Sequence, residues 1–151
     1  MAMENSSERS SVQLSRIRYV SRAAPCIQMS DVDAIVSRAR AINSYSGVTG
    51  QLLFTGAYFF QVIEGPFDHL KNRLSSIRLD VRHHDLRTIE EIDIERRRFE
   101  RWPMQYVQDF GLQDLVEELW WSQKVDLARA AQLVQYLTHE LHVLPRPGRG
   151  T

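Results

Sequence analysis

His83, His84 and Asp85 stand next to one another, and His139 and His142 are close together near the C-terminus. Adjacent histidines do not converge easily on one ion, and no Cys or Glu completes a ligand set by spacing, so no metal site is expected. Arg96, Arg97 and Arg98, with Arg101 close behind, could meet a phosphate. Neighbouring charges between two strands are, however, the usual make-up of a solvated turn. The sequence offers no Ser, His and acid combination and no glycine-rich phosphate loop, so conventional catalysis has no nucleophile and an enzyme is not expected. The chemistry that remains is hydrogen bonding. In YFFQVIEG, residues 58–65, strand alternation sets Phe59, Gln61 and Ile63 on one face and Tyr58, Phe60, Val62 and Glu64 on the other. Gln61 is thereby an amide among apolar groups, and left unsatisfied it costs about 1–3 kcal/mol. Its partners must be polar groups aimed at the same face by other elements. The inward-facing candidates are Tyr19, Asn43 and the pair Trp102 and Met104.

The elements that must carry these side chains follow from periodicity. Residues 12–21 alternate, with Ile17 and Tyr19 facing one way and Leu14, Arg16, Arg18 and Val20 the other, as in a half-buried strand. A helix is predicted after a loop at 23–29. Ser30 stands as its N-cap, Asp31 and Asp33 suit its positive end, and Val32, Ile35, Val36, Ala39 and Ile42 form an apolar face with Arg38 and Arg40 off it. It should stop near Asn43, where turn chemistry begins and capping alone would account for an Asn. Strands at 48–54 and 58–63 follow, joined by Thr55, Gly56 and Ala57, a hairpin connection in which Gly takes positive φ. Gly65 and Pro66 open a second helix with Phe67, Leu70, Leu74 and Ile77 as its stripe. Residues 86–94 make a further strand in which Ile89 falls on the opposite parity to Ile92 and Ile94, the mark of a bulge or of a shifted boundary. Residues 104–110 make a fifth. This order predicts an α+β fold, a ferredoxin-like βαββαβ sheet with an added strand and two helices on one face. Helical patterns at 112–121 and 125–142 are placed on the other face, over Leu14, Val20, Phe60 and Val62, or at a subunit contact.

A chain of 151 residues suits one domain, and its 19 basic and 19 acidic side chains cancel, which removes the electrostatic case for nucleic acid or an anionic membrane surface. The single Cys26 excludes an internal disulfide and, with a polar N-terminus that lacks a signal peptide's apolar core, points to the cytoplasm. No apolar run approaches the roughly 20 residues of a membrane helix. Residues 1–11 and 144–151 read as disordered flanks around a domain at 12–110 and a helical cap at 111–143.

Four strings in order say more: IRYVS in the first strand, AINSYSGVTGQLLF after the first helix, YFFQVIEGP at the hairpin and RRRFERWPMQYV ahead of the last strand. Together, over about residues 12–110, they resemble the BLUF family, blue-light sensors that use FAD. The resemblance implies a flavin ring lying between the two helices, edge-on to the sheet. It implies that Tyr19 gives an electron and a proton to the light-excited flavin, that Gln61 lies between phenol and ring, and that Asn43 bonds the ring's carbonyl edge. It further implies that Trp102 and Met104 exchange position near Gln61 to pass the signal on, and that Asp80 and His83 lie near the flavin. Ile42 departs from the polar residue often found before that Asn, and Ser76 stands where some relatives carry an Arg facing the flavin. An amide offers one acceptor and two donors, so Gln61 can serve its neighbours in either orientation.

The expected function is a non-enzymatic photoreceptor with FAD as cofactor. It would signal in trans to an unidentified protein effector or through a homo-oligomer, with the C-terminal helices as output. Two rivals share the fold: a nucleic-acid binder stacking bases on Tyr58 and Phe60, and an adaptor that lacks the photocycle.

Overall fold

The computed structural model describes residues 13–100 and 102–122. Alternation in the first segment becomes β1, Leu14–Ala23, two residues later at each end than the pattern suggested. The first helix, α1 (Met29–Ser46), has Gln28 and not Ser30 as its N-cap, and the Gln28 N–H donates to the Asp31 carboxylate at 2.9 Å. At the other end α1 runs past Asn43 to Gly47, whose φ of 67° and N–H bond to the Asn43 carbonyl close the helix. Glycine takes that conformation without the steric cost of a Cβ. The capping role considered for Asn43 therefore falls to Gly47, and Asn43 extends the buried stripe of Val32, Val36 and Ala39.

The hairpin is β2 (Thr49–Phe54) and β3 (Tyr58–Pro66), turned by Gly56 at φ 103°. Pro66 ends β3 and caps α2 (Phe67–Arg78), so it stands just outside the helix it was expected to open. β4 (His83–Ile94) starts three residues ahead of the predicted 86, and β5 is only Gln105–Gln108. A 3-10 turn, Phe110–Leu112, leads into α3, Gln113–Trp121. The sheet order is β4-β1-β3-β2-β5, antiparallel except for the β2/β5 pair. This is the ferredoxin-like order with a parallel strand added beyond β2. Along β1 and β4 the pairing moves from Arg18 with Glu90 to Tyr19 with Thr88, which leaves Ile89 as the bulge its parity implied.

Two apolar layers sandwich the sheet. On one face Ile17, Leu52, Phe59 and Ile63 pack with Val32, Val36 and Ala39 of α1 and Leu70 and Leu74 of α2. On the other, Val20, Phe60 and Val62 pack with Val116, Leu119 and Trp120 of α3. Full burial of each such side chain contributes about 1.5–3 kcal/mol. Tyr58 and Phe60 are buried under α3, so they form no surface on which bases could stack. The second predicted C-terminal helix at 125–142, with His139 and His142, lies outside the described residues, as do the two flanks.

The arginine run is more than a solvated turn. Glu64, buried on β3, accepts from Arg16 Nε at 2.8 Å and from the backbone N–H groups of Arg98 and Phe99 at 2.7 and 2.9 Å. Arg97 donates to Thr49 Oγ1 at 3.0 Å. The β4–β5 connection is thus strapped to the far face of the sheet by a charged network, because Glu64 needs donors where it is buried.

Candidate functional site

Tyr19 and Gln61 are register partners on β1 and β3, and their side chains share the face that α1 and α2 cover. Cross-strand partners on one face lie within reach of each other, and here the Tyr19 O–H donates to Gln61 Oε1. The other end of the amide, Nε2, lies 3.4 Å from Met104 Sδ. The oddly placed glutamine is therefore held at both ends, although both it and Tyr19 are only 3% exposed. Burial pushes the Tyr19 phenol well above its ordinary pKa of 10, with the nearby Arg73 cation pulling partly the other way and Asp80 adding to the rise. The phenol thus keeps its proton at neutral pH.

Above this pair lies a cleft of about 440 Å³ between α1, α2 and the start of β4. That volume is in the range of small-molecule sites. Leu52 and Phe59 share its floor with Tyr19 and Gln61, Ile35, Arg38 and Ala39 come from α1, and Arg73, Ser76 and Ile77 come from α2. Asp80 and His83 close it. Asp80 accepts from Arg82 through the backbone N–H, Nε and Nη2 at 3.0, 2.9 and 2.6 Å. Those bonds hold its carboxyl below the usual range. His83 is fixed at both ring nitrogens, Nδ1 against Ser21 Oγ at 2.7 Å and Nε2 against the Ile77 carbonyl. His84 instead pairs with Asp85 on the surface.

Of the residues singled out from the sequence, Tyr19, Gln61, Asp80 and His83 line the cleft. Asn43 and Met104 stand one layer behind it. Asn43 Nδ2 donates to the Pro103 carbonyl at 2.7 Å, and its Oδ1 accepts from Arg73 Nε at 3.1 Å. Arg40 Nε donates to the Met104 carbonyl at 3.0 Å, so α1 holds the approach to β5 by two side chains. Trp102 does not face inward as expected: it is 41% exposed, while Met104 is 1% exposed. Strand parity would put both on one face, but they precede β5 and bend around Pro103, so the period of two does not hold there. Periodicity gave no functional role to two arginines that line the cleft. Arg73 belongs to the stripe of Leu70, Leu74 and Ile77 by its spacing, but an apolar pattern does not register a charged residue. Arg38 reaches the cleft from the edge of the α1 stripe.

The family model described as sensors of blue-light using FAD (BLUF) matches residues 14–105. The chain belongs to the BLUF family. Its fold is that of solved BLUF structures: the dark state of BlrB, a BLUF protein, is similar at a TM-score of 0.73 with 28% identity, over 85% of this chain and 97% of that one. Among curated relatives, the photoactivated adenylate cyclase subunit beta of Euglena longa is 34% identical over 86 residues, 57% of this chain and 10% of that protein. The blue light- and temperature-regulated antirepressor BluF of Escherichia coli (strain K12) is 42% identical over 55 residues, 36% of this chain and 14% of that protein. The chain thus spans only a small fraction of the length of these relatives. Among the described residues no helix is long and apolar enough to cross a membrane, and no group of three or more His, Cys, Asp or Glu could hold a metal ion.

Proposed function

We propose that this chain is a blue-light photoreceptor that binds FAD non-covalently, with the flavin ring in the cleft between α1 and α2. The observation that carries the reading is the buried chain from the Tyr19 O–H to Gln61 and from Gln61 to Met104 at the floor of that cleft. The surroundings fit a flat ring with a polar edge, since Ile35 and Ile77 can cover its faces from the two helices while Gln61 on the floor meets the edge. Asp80 and His83 are further contacts, and Asn43 and Met104 act from behind the wall. A bound flavin supplies blue-light absorption and an excited electron acceptor. Tyr19 is the donor of the electron and, through its O–H bond to Gln61, of the proton, and it takes both back, so the cycle leaves no net oxidation or reduction. Gln61 responds by turning its amide, which brings Nε2 to the phenol oxygen and Oε1 to Met104. A thioether accepts weakly and donates nothing, so Met104 then loses its partner and the approach to β5 loses one of its holds. Trp102, half exposed beside it, is free to move toward the space that opens.

The signal leaves in trans, through α3 and the residues after it, to a protein effector or a second copy. Relatives named as a photoactivated cyclase and a light-regulated antirepressor support such an effector-linked role. An absorption spectrum of the purified protein before and after blue light tests the reading. A flavin spectrum that shifts slightly to the red and recovers in the dark is expected. A colourless protein, or a flavin that only bleaches, would overturn it in favour of an adaptor without a photocycle.

A further inference from the structure

α2 presents to the cleft a side chain that the light response above leaves without a task. Arg73 is 9% exposed, sits between Leu70 and Leu74 on the buried stripe, and lines the cleft. Among the described residues it makes no ion pair with a carboxylate, and Asp80, the acid in the cleft, is taken up by Arg82. The groups that act on its charge are the Tyr19 phenol and a second cation, Arg38. Taking a guanidinium out of water costs several kcal/mol unless partners repay it, and a polar ligand edge in the cleft would be such a partner. Asn43 points the same way. Its Oδ1 accepts from Arg73 Nε while its Nδ2 donates to the Pro103 carbonyl, so it holds Arg73 in place from behind the cleft.

We propose that Arg73 is the binding residue for the electron-rich carbonyl edge of the flavin ring, that Asn43 is its positioning residue, and that the charge of Arg73 makes the cleft hold the reduced ring more tightly than the oxidised one. This rests on the flavin reading of the cleft and goes beyond it by naming the group that tunes the ring. The bond through Nε fixes the plane of the guanidinium and leaves its two Nη groups for the ligand. Tighter binding of the reduced form raises the midpoint potential, by linkage. Because Asn43 also holds the carbonyl of Pro103, next to Met104, a change at Arg73 reaches the approach to β5 without passing through Gln61.

The test is Arg73→Gln in the full chain. The Nε2 of Gln lies as many bonds from Cα as the Nε of Arg, so the variant can keep the donor to Asn43 while losing the charge and the Nη fork. Three quantities are read: the FAD dissociation constant, the midpoint potential of bound FAD in a dithionite titration against a reference dye, and the urea stability of the flavin-free protein. R73Q is expected to bind oxidised FAD about tenfold more weakly and the reduced form about a further tenfold, a potential about 30 mV lower for a two-electron couple. The flavin-free protein should be no less stable. Arg73→Lys restores most of the potential because the charge returns. If R73Q does not fold, Asn43→Asp carries the test, since it supplies the counter-ion that Arg73 lacks and should lower the potential in the same sense. An unchanged potential in the folded variant, R73Q or N43D, or a parallel loss of affinity and stability without a change in potential, overturns the role of Arg73 alone. A wild-type chain that takes up no FAD overturns the flavin reading and this inference together.

Discussion

Gln61 is tolerated among apolar side chains because Tyr19 and Met104 occupy its two ends, and that arrangement makes its removal measurable in two ways. Tyr19→Phe and Gln61→Leu should each abolish the light-induced red shift in a difference spectrum, and a surviving shift in either would sink the roles given to them. Gln61→Leu also leaves the buried phenol unpaired, for a loss of about 1–3 kcal/mol by urea unfolding. The double variant Tyr19→Phe with Gln61→Leu removes both partners and should recover most of that loss. The phenol has a further consequence for pH. Its pKa is raised in the fold, so the folded chain holds a proton that the unfolded chain releases above about pH 10. Its contribution to stability is complete below that pH and is lost as pH rises toward the folded pKa. Tyr106, pushed up to about 12 by burial, adds to the same alkaline limb. Stability measured from pH 9 to pH 12 should therefore fall, and fall less steeply in Tyr19→Phe.

The segment that leads into β5 is held by groups of other elements more than by its own strand pairing. Glu64 binds the amides of Arg98 and Phe99, Gly50 N–H donates to the Trp102 carbonyl at 3.1 Å, and Asn43 and Arg40 take the carbonyls of Pro103 and Met104. Glu64→Leu strands Arg16 and two backbone donors on the far face. Loss of one partner of a buried ion pair costs about 3–5 kcal/mol. The prediction is a drop of that size in urea, with the Arg98 and Phe99 amides exchanging faster with deuterium; an unchanged midpoint would show that this strap contributes nothing. The strand pattern made the bulge at Ile89 legible because parity is a local property of one strand. The strap was not legible, because each of its bonds joins residues from different elements and no spacing within the chain encodes it.

The two sheet faces divide the labour of the fold, the cleft on one and α3 on the other. Trp120 pins α3 down: its indole N–H donates to the Asp85 carbonyl at 2.9 Å, with the guanidinium groups of Arg87 and Arg22 at 3.7 and 4.7 Å from the ring centre. The C-terminal region therefore is not one detachable output unit. A chain cut after Ser122 should keep a flavin that shifts to the red and lose light-dependent partner binding, whereas a cut before Gly111 uncovers Val20, Phe60 and Val62 and should lower the unfolding midpoint sharply. Equal midpoints for the two truncations would contradict the packing of α3. By itself the sequence determined the order of elements and the inward placing of Tyr19 on β1 and Gln61 on β3, because periods of two and 3.6 are written into consecutive residues, while the pairing of the two was implied by the family resemblance. Only the tertiary structure decided that Met104 and not Trp102 meets Gln61, that Asn43 stands behind Arg73, and that a charge on the α2 stripe faces the cleft. Those outcomes depend on partners 30 to 60 positions apart, whose meeting is set by how the helices and the strap close over the sheet.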